Sequence, residues 1–479
     1  MKNMKQKYVA IDLGAESGRL MLGTIEDQKL ELKEFHRFPT KGTYLFDSFR
    51  WNVLRFWEEI KTGLMKIANS EGKEISGIAT DSWGVNFVYL TKDYELACYP
   101  FHYRDDLIIE GDKQMRINND MNEIFKITGL QEMSINGLPH LWGVKTKYPQ
   151  VLQRTKKLCM IPDYFNYLLT GNLFGEYTNA STTQVMNATT KAWDPQIISK
   201  LGLTPEHFPK LLNPSSKIGE LHKQVQEECN LGSVPVWAIG SHDTASAIVG
   251  VPAQDDNWAY LSSGTWSLFG VEISNPIINE KVKKYNCTNE GGVFGTIRLL
   301  KNIVGLWLIQ RCKYQWEKEL GDIPELSYEN LTNEAEKEEP NRTIIDVDDP
   351  VFLNPKNMVE EIKKYAARKG LKVPQSRAQI SRCIFDSLAV KYKKTLTELE
   401  DITGKKIERL HIIGGGSKNK LLCQLTANIL GIKVIAGPVE ATAIGNVMMQ
   451  AYAAGQIKDL KELRQIVKNS FDIVEYSPK

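Results

Sequence analysis

Long apolar stretches are missing from this sequence: none approaches the roughly 18 residues that a membrane-spanning helix requires. The basic opening MKNMKQK leads straight into YVAIDLG, where Asp12 interrupts the apolar run, so no signal-peptide core is expected. Cysteine is sparse and unpatterned, with seven residues at 98, 159, 229, 287, 312, 383 and 423 and no CxxC pair. An odd, scattered set predicts free thiols in a reducing, cytoplasmic setting. There N-x-[ST] matches such as those at Asn179, Asn187, Asn286 and Asn341 are chance. Excess charge is also absent: 60 Lys and Arg against 58 Asp and Glu leave a formal +2. That balance argues against a nucleic-acid partner, and no basic block with interleaved aromatics offsets it. Only seven histidines occur, none in an HxxxH pattern, which disfavours a zinc centre. The common nucleotide loops GxxxxGK[ST] and GxGxxG are missing. Ser17 in GAESG lies one place off the G-x-S-x-G hydrolase turn.

What is present is a chain of 479 residues, 42% hydrophobic, long enough for two large domains with cores of their own. Two distant segments share one pattern. Residues 8–25 (YVAIDLGAESGRLMLGTI) and 258–273 (WAYLSSGTWSLFGVEI) each read as two apolar strands around a small polar turn. Their separation, near half the chain, predicts two related domains. The polar stretch PAQDDN places the boundary near 250, giving domains 1–249 and 250–479.

Between these hairpins the pattern predicts a helix over 52–68, a strand over 75–80 ending at Asp81, and mostly helix from 107 to 170 with Gly171 as its cap. A buried strand, VPVWAIG (234–240), then leads into SHDTASAIVG. Further on, Ile380, Cys383, Ile384, Leu388 and Tyr392 recur at three- and four-residue spacings, which predicts a long amphipathic helix from Arg377 to Leu399. LHIIG (410–414), a GGG turn and a helix over 419–430 make a β-turn-α unit. Strands alternating with helices indicate an α/β architecture.

The chemistry-bearing segments are glycine-rich turns at strand ends. In Asp12–Arg19, Gly14 and Gly18 permit close approach of a ligand, successive N–H groups can cradle an anion, and Arg19 can grip phosphoryl oxygens. Asp12, a carboxylate inside an apolar strand, can position hydrated Mg²⁺. An ordinary hairpin with a surface arginine is the plainer alternative. Ser262–Ser267 offers hydroxyl and backbone donors to a second phosphate, with Trp266 read as packing. Gly414–Gly416 lies before a helix N-terminus that favours negative charge, or is a crowded turn. Asp243, beyond the end of VPVWAIG, can accept a hydroxyl proton or cap the following helix. His242 suits a hydrogen bond to substrate or to the protein. Gly84 in DSWG allows backbone to approach a small ligand, with Trp83 as a pocket wall or core residue. FHYRDD (101–106) offers polar groups suited to a polyol.

Together these stretches resemble one family. VAIDLGAESGR, DSWGVNFVYL, EYTNASTTQ, SHDTASA, AYLSSGTWSL, TNEGG, LLKNIVGLWLIQR, RCIFDSLA, HIIGGGSKN and VIAGPVEATAIGN occur in order, and the chain looks like an FGGY carbohydrate kinase. The resemblance implies two domains of actin/hexokinase-like, RNase H-related fold, with sugar and ATP meeting in the cleft between them. It implies Mg²⁺-dependent transfer of the γ-phosphoryl of ATP to O1 of a ketose, L-rhamnulose being the expected one. Other kinases of this kind act on L-fuculose or L-xylulose, and a non-catalytic sensor on the same fold is the remaining alternative. The family's base falls on Asp243, with Gly84, His242, Thr244 and Asn302 beside the sugar. Ala15, Glu16, Ser17, Gly18, Arg19, Thr265, Gln310, Gly415 and Gly416 would hold ATP, and Asp12 would organise Mg²⁺, through water. No obligate protein partner and no membrane are implied. Two positions depart from the pattern: Glu16 stands where a small hydroxyl residue is expected, and Asn86 where aspartate is.

Overall fold

A computed structural model describes residues 5–479. The chain divides into two compact units. One comprises Met1–Pro252, Glu272–Leu299 and Thr442–Ser470; the other comprises Ala253–Val271, Leu300–Ala441 and Phe471–Lys479.

In the first unit, strands β1 (Gln6–Leu13), β2 (Ser17–Glu26) and β3 (Lys29–Pro39) form an antiparallel meander. The helix α1 (Val53–Glu71) follows, then β4 (Gly77–Ser82), β5 (Lys217–Glu220) and β6 (Pro235–Trp237). The sheet order is β5-β6-β4-β1-β2-β3, with β1, β4 and β6 parallel. Alternate residues of β1 (Val9, Ile11, Leu13) join Leu20 and Leu22 and bury against Phe56, Ile60, Leu64 and Ile67 of α1. The period-2 face of the sheet thus meets the period-3.6 stripe of the helix. Asn52 starts α1, its side chain accepting the Arg55 N–H at 3.1 Å. As expected, Gly171 ends a helix, Ile161–Thr170, in the left-handed region at φ 79°. A short helix, α2 (Asp243–Val249), closes the first continuous segment.

The second unit repeats the opening device. β7 (Trp258–Ser263) and β8 (Trp266–Ile273) form an antiparallel hairpin, and β7 pairs in parallel with β9 (Arg409–Ile413), as β1 does with β4. Before β9 come α3 (Trp307–Leu320) and α4 (Arg377–Thr403). After it, α5 (Lys420–Leu430), β10 (Lys433–Ala436) and β11 (Val474–Tyr476) follow, and β8-β7-β9-β10-β11 are consecutive neighbours in a seven-stranded sheet. The apolar face expected on α4 is buried: Ile380, Cys383, Ile384, Leu388 and Tyr392 are each no more than 2% exposed. All seven cysteines are free thiols. Among the described residues, no helix is long and apolar enough to cross a membrane.

The strand expected over 234–240 is shorter than its apolar run. Beyond Trp237, Ala238 exchanges backbone hydrogen bonds with Ser215 and Ser216, and Ser241 turns its N–H to a side chain. The ladder stops because its backbone groups are satisfied elsewhere.

Candidate active site

Three carboxylates mark the C-terminal ends of neighbouring parallel segments in the first unit. Asp12 on β1 is in register with Asp81 on β4, and Ser82 bridges in parallel to His242, which precedes Asp243. Adjacent strands lie about 4.8 Å apart, so Asp12 and Asp81 are immediate neighbours. Asp12 Oδ2 accepts from Arg19 Nη2 at 2.5 Å across the hairpin, where the two residues are cross-strand partners. Asp81 is fully buried. Its Oδ2 accepts from Asn446 Nδ2 at 2.6 Å, while its Oδ1 accepts no hydrogen bond among the described residues. Burial, then repulsion from Asp12, holds the Asp81 carboxyl well above the usual carboxylate range. Asn446 is held in turn by Gln450, whose Nε2 donates to Asn446 Oδ1 at 2.7 Å and to Val9 O at 2.9 Å.

Asp243 is the accessible member, with 31% of its side chain exposed. It opens α2 rather than capping it: His242 holds the cap position, and Asp243 is the first helical residue. Thr244 fixes it twice, donating N–H at 2.6 Å and Oγ1–H at 3.1 Å to the same oxygen, Oδ1. Burial raises the Asp243 carboxyl above its ordinary value, and neighbouring His242 pulls it back.

The turn that carries Asp243 rests on a buried polar platform. Glu176 Oε2 accepts from Ser241 N (3.0 Å), Ser241 Oγ (2.7 Å), Thr178 Oγ1 (2.6 Å) and Asn179 N (3.2 Å), and its Oε1 accepts from Thr178 N (2.9 Å). Asn179 Nδ2 reaches the carbonyls of Ser82, Trp83 and Ser241 at 3.2–3.5 Å. Glu176 is 1% exposed, and burial pushes its carboxyl up while these donors pull it down. A carboxylate taken from water is tolerated only with such partners. Composition and spacing single out none of Asp81, Glu176, Asn179 and Asn446, although EYTNASTTQ does place a charge among residues that are otherwise core.

The remaining expected residues of this unit divide. The Ala15–Ser17 turn closes through Gly14 N–H to Ser17 O at 3.1 Å, and Thr40 braces it by donating to Gly14 O and Glu16 O. The Glu16 side chain is exposed, so its charge is solvated at the turn's rim. Gly18 faces the Phe38 ring, where a Cβ would come within 2.5 Å. Gly84 is buried, and a Cβ there would meet Thr182 Oγ1 at 2.7 Å. Asn86 is fully buried: its Oδ1 accepts from Trp51 Nε1 and Trp83 Nε1, both at 2.9 Å, and its Nδ2 donates to Phe101 O at 3.0 Å. It serves the core, together with a column of rings in which Phe49, His102, Trp51 and Trp83 succeed one another at 4.0–4.2 Å.

In the second unit, Thr265 forms the β7–β8 turn, and its Oγ1 donates to Gln310 Oε1 in the first turn of α3 at 3.1 Å. Gly414, at φ 79°, turns the chain from β9 into the run Gly415–Lys418. Gly415 is exposed with open space beside it, whereas a Cβ on Gly416 would clash with Ser263 Oγ. The Ser263 hairpin and the glycine turn are therefore in contact, which joins two of the expected nucleotide elements. Asn302 lies on the strand Ile297–Val304.

No three His, Cys, Asp or Glu side chains among the described residues converge closely enough to ligate a metal directly. The donor chemistry still fits a hydrated magnesium ion: the charges of Asp12 and Asp243 raise the proton affinity of Asp81, which keeps an oxygen with no donor.

Known proteins match this arrangement over nearly the whole chain. Residues 7–250 match the N-terminal domain of the FGGY family of carbohydrate kinases, and residues 259–454 match its C-terminal domain. The chain belongs to the FGGY carbohydrate kinases. It is 44% identical to a rhamnulokinase of Bacteroides thetaiotaomicron, over 99% of this chain and 96% of that one. It is 41% identical to one of Ligilactobacillus salivarius and 39% to one of Bacillus subtilis, each over 98% of this chain and 95% of the relative. Among solved structures, gluconate kinase from Lactobacillus acidophilus superposes with a TM-score of 0.81 at 16% identity, covering 99% of this chain and 94% of that one. Glycerol kinase from Plasmodium falciparum, solved with ADP, gives 0.79 at 15% over the same shares. The fold is thus the two-domain α/β fold of these enzymes, and the protein is an ATP-dependent sugar kinase.

Proposed function

We propose that this FGGY kinase phosphorylates L-rhamnulose at O1, forming L-rhamnulose 1-phosphate and ADP in the cytoplasm. The full-length similarity to three rhamnulokinases supports the substrate. Asp243 carries the mechanism: it is a carboxylate that is part-exposed on one side and braced by buried groups on the other. The O1–H bond breaks and its proton passes to Asp243 as O1 bonds to the γ-phosphorus. The bond from phosphorus to the β,γ-bridging oxygen breaks, its electron pair leaving with ADP. Asp12 would hold hydrated Mg²⁺ through water, and the ion would compensate charge on the transferring group. The Ala15–Arg19 turn, Thr265, Gln310, Gly415 and Gly416 hold ATP, and Gly84, His242, Thr244 and Asn302 line the ketose site.

The test is ADP release from Mg·ATP with L-rhamnulose, L-fuculose, L-xylulose, glycerol or no sugar, followed by NMR of the product. Selective turnover of L-rhamnulose with phosphate on O1 is expected. Preference for another sugar would overturn the substrate and leave Asp243 as base, whereas sugar-independent ADP release would overturn both. Ligand binding without turnover would favour the sensor reading.

A further inference from the structure

Behind His242 and Asp243 lie two buried groups, Arg298 and Glu290, that the proposed chemistry does not use. Arg298 is completely buried. Its Nη2 lies 2.9 Å from His242 Nδ1 and 3.1 Å from Glu290 Oε2, and its Nε donates to Gly291 O at 2.9 Å. The other ring nitrogen, His242 Nε2, lies 3.4 Å from Asp243 Oδ1. His242 is itself 7% exposed, and its backbone N–H is held by Thr178 Oγ1 at 3.2 Å.

The direction of the first link follows from chemistry. A guanidinium has five N–H donors and no acceptor. At 2.9 Å its Nη2 must donate, so Nδ1 of His242 must present a lone pair. Glu290 Oε2 lies at ion-pair distance from the same Nη2, 3.1 Å, and balances the guanidinium charge. Glu290 Oε2 also approaches Nδ1 at 3.3 Å, with no hydrogen bond between them. A neutral imidazole with a bare Nδ1 carries its proton on Nε2, the nitrogen that faces Asp243. The opposite tautomer would set an arginine N–H against a ring N–H on one side and a lone pair against a carboxylate on the other.

We propose that Arg298, anchored by Glu290, locks His242 as the Nε2–H tautomer and so assigns proton acceptance to the Oδ2 oxygen of Asp243. Oδ1 accepts hydrogen bonds from Thr244 N and Thr244 Oγ1 and has the Nε2–H of His242 3.4 Å away, and their combined pull lowers its basicity. Oδ2 has no donor among the described residues and keeps its lone pairs for the O1 hydroxyl. Arg298 and Glu290 are thus positioning residues: they touch no substrate and act through the imidazole, much as outer groups set the tautomer of metal-bound histidines. The tautomer assignment stands on geometry alone, and the role given to Oδ2 rests on Asp243 being the base.

The test separates the two. Full-length protein labelled with ¹⁵N-histidine, with the His242 signals assigned by their loss in His242→Asn, reports which ring nitrogen carries the proton without any sugar. At pH 7 the expected result is an unprotonated Nδ1 and a protonated Nε2, and a proton on Nδ1 overturns the lock. Arg298→Met is expected to lower kcat roughly 10- to 100-fold, part of what a general base contributes, with little change in KM for ATP. Arg298→Lys, which restores a donor toward Nδ1, should recover most of that loss. Unchanged kcat in a folded Arg298→Met overturns the positioning role. If burial makes that variant unfold, Glu290→Gln serves instead, with a several-fold fall in kcat expected and unchanged kcat overturning the proposal. Absence of turnover with every sugar would defeat the proposed function while the nitrogen signals still decided the tautomer.

Discussion

Trp51 and Trp83 donate their indole N–H groups to one and the same oxygen, Asn86 Oδ1, each at 2.9 Å. The rings lie 4.2 Å apart between centroids, so the amide ties the residue just before the Asn52 cap of α1 to the segment following β4. An amide suits this place: the oxygen accepts twice, and the nitrogen donates to Phe101 O. Asn86→Asp keeps the acceptor, loses the donor and buries a charge beside a carbonyl. A loss of about 1–3 kcal/mol is expected in urea unfolding, with KM for the sugar moving less than stability.

Asp243→Asn should lower kcat roughly 10²- to 10⁴-fold with nucleotide affinity nearly intact. In the parent enzyme, the acid limb of kcat/KM should have its midpoint above the ordinary aspartate range, because burial raises this carboxyl. Activity falls on the acid side, since the base must be unprotonated. A midpoint at or below ordinary aspartate would contradict that burial.

His102 is stacked between Phe49 and Trp51, and burial, aided by the charge of Arg104, pushes its pKa down to about 2. Below about pH 6.5 the unfolded chain takes up a proton that the folded protein refuses, so stability falls with pH by about 1.4 kcal/mol per unit. His102→Phe should lessen the loss between pH 6 and 4, and parallel urea midpoints in both proteins would refute this.

Asp81 carries the opposite sign. Its carboxyl keeps a proton in the fold above the pH at which the unfolded chain has released it, so its contribution to stability declines as pH rises. Asp81→Asn removes that slope and can still accept from Asn446. Without metal or nucleotide, the variant's Tm should gain on the parent's as pH rises above about 4, where the unfolded carboxyl ionises. A Tm difference independent of pH would show that Asp81 ionises freely.

The glycine turn separates packing from ligand contact. Gly416→Ala drives a methyl into Ser263, and an overpacking cost of about 1–3 kcal/mol is expected. Gly415→Ala meets open space, so its Tm should hold while KM for ATP rises. If KM does not move, position 415 lies away from the nucleotide.

Much of this fold is legible in the sequence because local pattern dictates it. Both hairpins announce themselves by an apolar–turn–apolar rhythm, and α4 by its buried stripe. Asp243 is legible as well, as an acid just past an apolar strand. Its support is not. Arg298 reaches His242 across 56 positions, and Asn446 reaches Asp81 across 365. Polar residues that satisfy each other at such range leave no periodicity, since only the folded chain brings donor to acceptor. Glu176 reads as an ordinary acidic residue until its five donors are counted.

The first unit borrows its last pieces from late in the chain. Arg298 comes from the segment Glu272–Leu299, and Asn446 and Gln450 from Thr442–Ser470. On the ribosome, the β1–β4 sheet emerges hundreds of residues before the amides that fasten it, so Asp81 waits without its partner until synthesis is nearly complete. Cutting the gene near codon 250 would yield a fragment that holds Asp243 but lacks Arg298 and Asn446. The two halves are therefore not separable cassettes, and recombining them between relatives must carry the 272–299 and 442–470 segments along with the N-terminal part.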